Sequence, residues 1–159
     1  MEKKKLIRTG IILTIGLMII GTTTVVYLFN MPHRNIQSAK TDFEITVASL
    51  VSEYLSDPTA ADEKYLDEEG ESKILEVTGT VSKISEDFNG QLVLLLKDPE
   101  GKAGVSCTIL SSSKSVASQI QKGETIKVKG VIRSGAFFDK DLDMYENAIM
   151  EKCDIVSKI

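Results

Sequence analysis

From Ser72 onward the chain takes up a period-two pattern that a half-buried β-strand satisfies and an amphipathic helix does not. Leu75, Val77, Gly79 and Val81 alternate with Glu76, Thr78 and Thr80. Successive side chains of a strand point to opposite faces, so this spacing puts one apolar face inward and one polar face outward. Asn89-Gly90 is a strong turn signal, because both residues tolerate positive φ, and a second strand follows at Gln91 to Lys97. Asp98-Pro99-Glu100-Gly101 marks another turn. A third strand runs from Gly104 to Leu110, with Val105, Cys107 and Ile109 on one face. Ser111-Ser112-Ser113 breaks it and starts a short helix through Ile120, ended by Lys122-Gly123-Glu124. The fourth strand, Thr125 to Arg133, turns Ile126, Val128, Gly130 and Ile132 one way and Lys127 and Lys129 the other. A loop from Ser134 to Asp143 leads to the last strand, about Met144 to Val156.

Three strands, one helix and two strands is the order of the OB-fold, a five-stranded, partly open Greek-key barrel. The expected fold is therefore mainly β, with that barrel over residues 72–157 and its helix between strands three and four. Gly79 and Gly130 fall where tightly coiled barrel strands need room to bend. Residues 46–71 read as a short helical lead-in. Thr46 caps a helix whose Val47, Leu50, Val51, Tyr54 and Leu55 recur at three- and four-residue spacing. Asp57-Pro58 offers a cap and a first-turn proline for a second helix, Thr59 to Leu66. Asp67 to Glu71 is an acidic, solvated loop.

The first third of the chain has another character. Residues 9–29 are 21 positions without a charge, a length of roughly 30 Å as a helix, which matches a bilayer's hydrocarbon core. Residues 1–8 carry Lys3, Lys4, Lys5 and Arg8, and positive charge ahead of a first span keeps that end in the cytoplasm. The apolar run is longer than a signal-peptide core, and Tyr27-Leu28-Phe29-Asn30 is bulky where a cleavage site is small. The expectation is an uncleaved, single-pass signal anchor in the cell membrane. Residues 30–45 then form a polar tether, and the barrel lies outside the cytoplasm. From Met31 onward the chain has 15 basic and 22 acidic residues, a net charge of −7. A domain this acidic repels phosphate backbones unless its cations cluster.

Several segments resemble a bacterial OB-fold family described as tRNA anti-codon-like. Leu75-Glu76-Val77-Thr78-Gly79-Thr80-Val81 is similar to its first strand, and Val105-Ser106-Cys107 to its third. Lys122 to Gly130 resembles its entry into the fourth strand, and Met150-Glu151-Lys152-Cys153-Asp154-Ile155 its closing segment. Leu50 to Tyr54, followed by Ala60, Ala61, Lys64 and Tyr65, is similar to its helical lead-in. The resemblance covers roughly Asp42 to Val156 and implies an OB domain anchored at a membrane. Fold does not fix function, and the family's name does not make this chain a tRNA binder.

Candidate chemistry is sparse. An OB barrel brings its third and fifth strands together, which makes Cys107 and Cys153 candidate neighbours. Two readings stand for them: a disulfide formed outside the cytoplasm, or two buried thiols acting as small hydrophobes. Two thiols without a histidine fall short of a zinc shell. Asp139, Asp141 and Asp143 begin like a calcium loop, but Met144 stands in place of its glycine and Met150 in place of its glutamate. No metal or cofactor is expected. His33 is the chain's one histidine and lies in the tether. With no nucleophile elbow or phosphate loop, no enzyme is expected. The second and third strands contain no aromatic residue to stack on bases, and Lys127, Lys129 and Arg133 make a single basic stripe. Phe88 falls in the first inter-strand loop, Phe137 and Phe138 in the last, and on an OB barrel those loops flank the ligand groove. The aromatics either plug the barrel ends or, with Lys127 and Lys129, form a binding site. The expected function is a non-enzymatic binding or scaffolding module for an envelope protein, peptide or glycan. Single-stranded nucleic acid is the alternative.

Overall fold

The structure, a computed structural model, describes residue 14 and residues 16–27, 35–66 and 72–159. The basic segment 1–8, His33 and the acidic loop 67–71 lie outside the described residues, as do parts of the expected span and tether. Two compact units divide the chain, residues 1–34 and residues 35–159.

In the first unit, residues 16–27 are helical. Leu17, Met18, Ile19 and Ile20 are exposed there, Leu17 to 70%. The hydroxyls of Thr22, Thr23 and Thr24 donate to the carbonyl oxygens of Met18, Ile19 and Ile20 at 2.8, 2.8 and 2.9 Å. Each threonine thus satisfies its own polar group within the helix. Among the described residues no helix is long and apolar enough to cross a membrane.

The second unit is a closed barrel with helical additions. Strands β1 (Phe43–Thr46), β2 (Ile74–Glu86), β3 (Leu92–Leu96), β4 (Val105–Ile109), β5 (Thr125–Ser134), β6 (Phe137–Asp139), β7 (Met144–Glu146) and β8 (Ala148–Lys158) follow in chain order. Helices α1 (Val47–Ser56) and α2 (Pro58–Tyr65) precede β2. A 3-10 turn at Ser111–Ser113 and helix α3 (Lys114–Ala117) separate β4 from β5. The barrel order is β2-β3-β4-β8-β5, and β5 pairs back onto β2. That circuit, with its parallel β4–β8 seam, is the OB-fold arrangement. Inside it Leu75, Val77, Leu94, Val105, Ile126 and Val128 are fully buried.

The lead-in helices begin where their capping residues predict. Thr46 Oγ1 accepts from the Ser49 N–H at 3.2 Å, Asp57 Oδ1 accepts from the Ala60 N–H at 3.1 Å, and Pro58 opens α2. Helix α1 buries Val47, Leu50, Val51 and Tyr54. Its Val47 lies against Gly79 and its Tyr54 ring against Gly135, at distances that leave no room for a Cβ. Gly79 therefore makes way for a packed helix. Gly130 serves the interior instead: a Cβ there would lie 2.8 Å from Cys153 Sγ.

Two parts of the architecture differ from expectation. The polar tether is not free over its described part. Phe43–Thr46 pairs in parallel with Leu75–Thr78, on the edge of β2 opposite β5, before β3 begins. Ile36 is buried, Asp42 clasps Ile74 by two hydrogen bonds of 2.8 Å, and Lys129 Nζ donates to Ala39 O at 2.6 Å. The last strand is also divided. Residues Met144–Glu146 pair with Phe137–Asp139 as a separate hairpin. The chain enters the barrel only after Asn147, whose Oδ1 accepts from the Gly104 N–H at 2.8 Å. The Ala148 N–H then donates to Gly104 O at 3.0 Å. These two bonds fix the point at which hairpin gives way to barrel.

Candidate functional site

Along β3 and β4 the side chains alternate between core and surface. Leu94 and Leu96 of β3 are buried while Val93 and Leu95 are half-buried; on β4, Ser106 and Thr108 are the half-buried pair. The register aligns Val93 with Thr108 and Leu95 with Ser106, and Ser106 with Ile149 of β8. The outer face of β3–β4–β8 is therefore a shallow aliphatic and hydroxyl strip.

A loop borders each end of this strip. At one end, Glu86 pairs with Leu92 and residues 87–91 form a tight turn. The Gly90 N–H donates to Asp87 O at 3.0 Å, and Asp87 Oδ1 accepts from the N–H groups of Asn89 and Gln91, both at 2.8 Å. Gly90 has φ +73°, a conformation that glycine adopts without strain. This bonded turn carries Phe88 with its side chain wholly in solvent, at 111% relative exposure. At the other end, Leu96 pairs with Val105 and Val105 with Ala148, next to the β6–β7 hairpin. There the rings of Phe138 and Tyr145 pack with centroids 4.8 Å apart, and Lys102 Nζ lies 5.4 Å from the Tyr145 centroid. Phe137 sits opposite Glu146, on the other face of the hairpin from Phe138. Asp139 Oδ1 accepts from the N–H groups of Asp141 and Leu142 at 2.8 and 3.1 Å, so that carboxylate serves the hairpin tip.

The three phenylalanines thus flank the strip from opposite ends and do not form one cluster. None of them plugs the barrel: Phe137 and Phe138 are 46% and 40% exposed. The two lysines lie elsewhere. Lys127 Nζ is 2.9 Å from Glu44 Oε2 and 3.6 Å from Glu76 Oε2. Its hydrogen bond to Glu44 holds the ammonium above the usual lysine range. Lys129 holds the segment before β1. Both are occupied on the β5 side, away from β3–β4, and the expected basic stripe does not join the aromatics.

Cys107 and Cys153 are free thiols in the barrel interior. Burial pushes the Cys153 thiol well up, and Cys107 beside it adds to the shift. An enclosed thiol with a raised pKa, as at Cys153, is a poor nucleophile.

A feature that the sequence reading missed lies beside Phe88. Cys107 pairs with Met150 but Ile109 with Cys153, so Glu151 and Lys152 together oppose Thr108 alone. This bulge turns both residues outward, and Lys152 has φ +54°. With Asp87, Asn89, Gln91 and Thr108 they line a groove of about 340 Å³. The signal was present: Met150 and Cys153 are three residues apart, which breaks period two between inward-facing positions.

Comparison with known proteins bears on the fold. A family model described as tRNA_anti-like matches residues 1–140. No curated protein matches the chain. Among solved structures, the chain is similar to the mitochondrial single-stranded DNA-binding protein Rim1 from S. cerevisiae. Identity is 13% and the TM-score is 0.36, over 55% of this chain and 97% of that one.

Proposed function

The chain belongs to the tRNA_anti-like family, and we propose that it is a non-enzymatic binding module. In this reading an N-terminal signal anchor holds it in the cell membrane and presents the barrel outside the cytoplasm. The ligand or partner is held on the outer face of β3–β4–β8, between the Phe88 turn and the β6–β7 hairpin. One observation carries the reading: a bonded turn presents a fully solvated phenylalanine at the end of the half-buried outer strip of β3 and β4. A solvated aromatic ring is a large apolar surface for a contact to bury. The anchor rests on the uncharged run 9–29 and the basic residues before it.

The alternative, single-stranded nucleic acid, would use the same face. It is disfavoured by the two carboxylates at the groove, Asp87 and Glu151, and by the net charge of −7 beyond Met31. It is also disfavoured by the intramolecular engagement of Lys127 and Lys129.

The test is photocrosslinking in living cells, with a photoreactive amino acid at position 88, 93 or 95 and controls at positions 63 and 122. Crosslinked products from the first three and not from the controls are expected. Crosslinks that are equal at all five positions, or absent at 88, 93 and 95, would contradict the assignment. Crosslinks to nucleic acid would favour the alternative.

A further inference from the structure

The groove beside Phe88 is polar, and its chemistry selects among ligands. Asn89 and Gln91 supply amides that both donate and accept, Thr108 a hydroxyl, Asp87 and Glu151 carboxylates, and Lys152 an ammonium. The side chains of Asn89, Gln91, Thr108, Glu151 and Lys152 have no hydrogen-bond partner within the described chain. Asp87 uses one carboxylate oxygen for its turn and keeps the other. The volume, about 340 Å³, is at the lower end of the range for small-ligand sites.

Three ligand classes fit this inventory poorly. A polyanion meets two carboxylates against one ammonium. An extended peptide gains from a free strand edge, but β4 is paired on both sides, with β3 and β8, so the groove offers no unpaired ladder. A purely apolar ligand would strip water from six polar side chains without replacing their bonds. A neutral polyol meets none of these obstacles. Each of its hydroxyls donates and accepts, which matches a mixed set of amides, hydroxyl and carboxylates. A pyranose ring also carries an apolar face of C–H bonds, which suits the negative face of an aromatic ring. Phe88 does not line the groove, whose apolar part is Ile109 and Leu110; its ring stands in solvent on the turn that contributes Asp87, Asn89 and Gln91, placed to meet a sugar unit that extends beyond the groove.

We infer that this groove binds a neutral hexopyranose oligosaccharide, with Phe88 stacking on one sugar ring and Gln91, Thr108 and Glu151 bonding to its hydroxyls. The inference rests on the reading of the β3–β4–β8 face as the binding surface and names the ligand class for it.

The experiment titrates the full-length protein in detergent micelles with cellohexaose and with chitohexaose, followed by calorimetry at low and high salt. Saturable binding of at least one of them, little changed by salt, is expected. Phe88→Ala and Gln91→Ala should each weaken it by about tenfold or more, with unchanged thermal unfolding showing that both variants fold. Absence of binding to both sugars, or binding that survives both substitutions, overturns the inference. If the sugars fail while position 88 still crosslinks in cells, the ligand class is wrong and the surface stands. If position 88 gives no crosslink either, both readings fall.

Discussion

Tyr54 shows how closely single residues are fitted here. Its side chain is 1% exposed, its ring lies against Gly135, and its hydroxyl has no hydrogen-bond partner. Burial raises the hydroxyl's pKa, with the Asp62 carboxylate nearby adding to the shift, so it stays neutral, but a buried hydroxyl without a well-formed hydrogen bond still costs stability. Tyr54→Phe keeps the ring and removes that cost. It should leave the urea midpoint unchanged or raise stability by about 1 kcal/mol, and a clear loss would mean that the hydroxyl has a partner in solution. Gly135→Ala should act in the opposite direction, costing about 1–3 kcal/mol as the ring and the new methyl compete for one volume. Glu53 makes a pH-dependent contribution. Its carboxylate accepts from Lys64 Nζ and from Tyr65 Oη, both at 2.8 Å, and the bond to Lys64 lowers its pKa from 4.5. A lowered folded-state pKa means stability that is present above the unfolded value and lost as pH falls through the folded one. Glu53→Gln should therefore destabilise the protein at neutral pH and converge with the parent at acid pH, below that lowered folded-state pKa. Unfolding curves at both pH values check this; a constant difference would rule out the ion pair as its source.

At the scale of elements, the segment 35–46 is the least expected part. Up to Ile45 it is expected as tether, with Thr46 as the helix cap, because the composition is polar and Phe43-Glu44-Ile45-Thr46 is too short a run to identify a strand. Its partners are far along the chain: β2, Lys127 and Lys129 on β5, and Lys152 on β8, whose carbonyl oxygen accepts from Gln37 Nε2 at 3.1 Å. Lys129→Met should release it, so that amides of residues 36–42 exchange with deuterium faster while those of β3 and β4 do not change. Uniform acceleration would mean that the lysine supports the whole barrel. The five barrel strands, the helix between strands three and four, and both lead-in caps were legible, because alternation and capping are local patterns. The bulge in β8 was legible in the Met150–Cys153 spacing but went unread. The split at Asn147 was not legible, because it depends on a bond to Gly104, 43 residues away in sequence. For the site, the loops bearing Phe88, Phe137 and Phe138 were identified, whereas the separation of Lys127 and Lys129 from them depends on side-chain partners that only the folded chain brings together.

At the scale of the whole molecule, the barrel closes on itself, and the chain from Met31 onward carries a net charge of −7. In the proposed reading such a domain takes a partner recognised by shape, stacking and uncharged hydrogen bonds, and its net charge works against a phosphate backbone at low salt. With the proposed signal anchor, the partners it meets depend on the side of the membrane that the barrel occupies. The measurement that tests this most directly is protease accessibility of the barrel in intact protoplasts, with a lysed sample as control. The account predicts digestion in the intact sample, which would place residues 35–159 outside the cytoplasm. Protection until lysis would contradict it, place the barrel among cytoplasmic nucleic acids and return the alternative to first place.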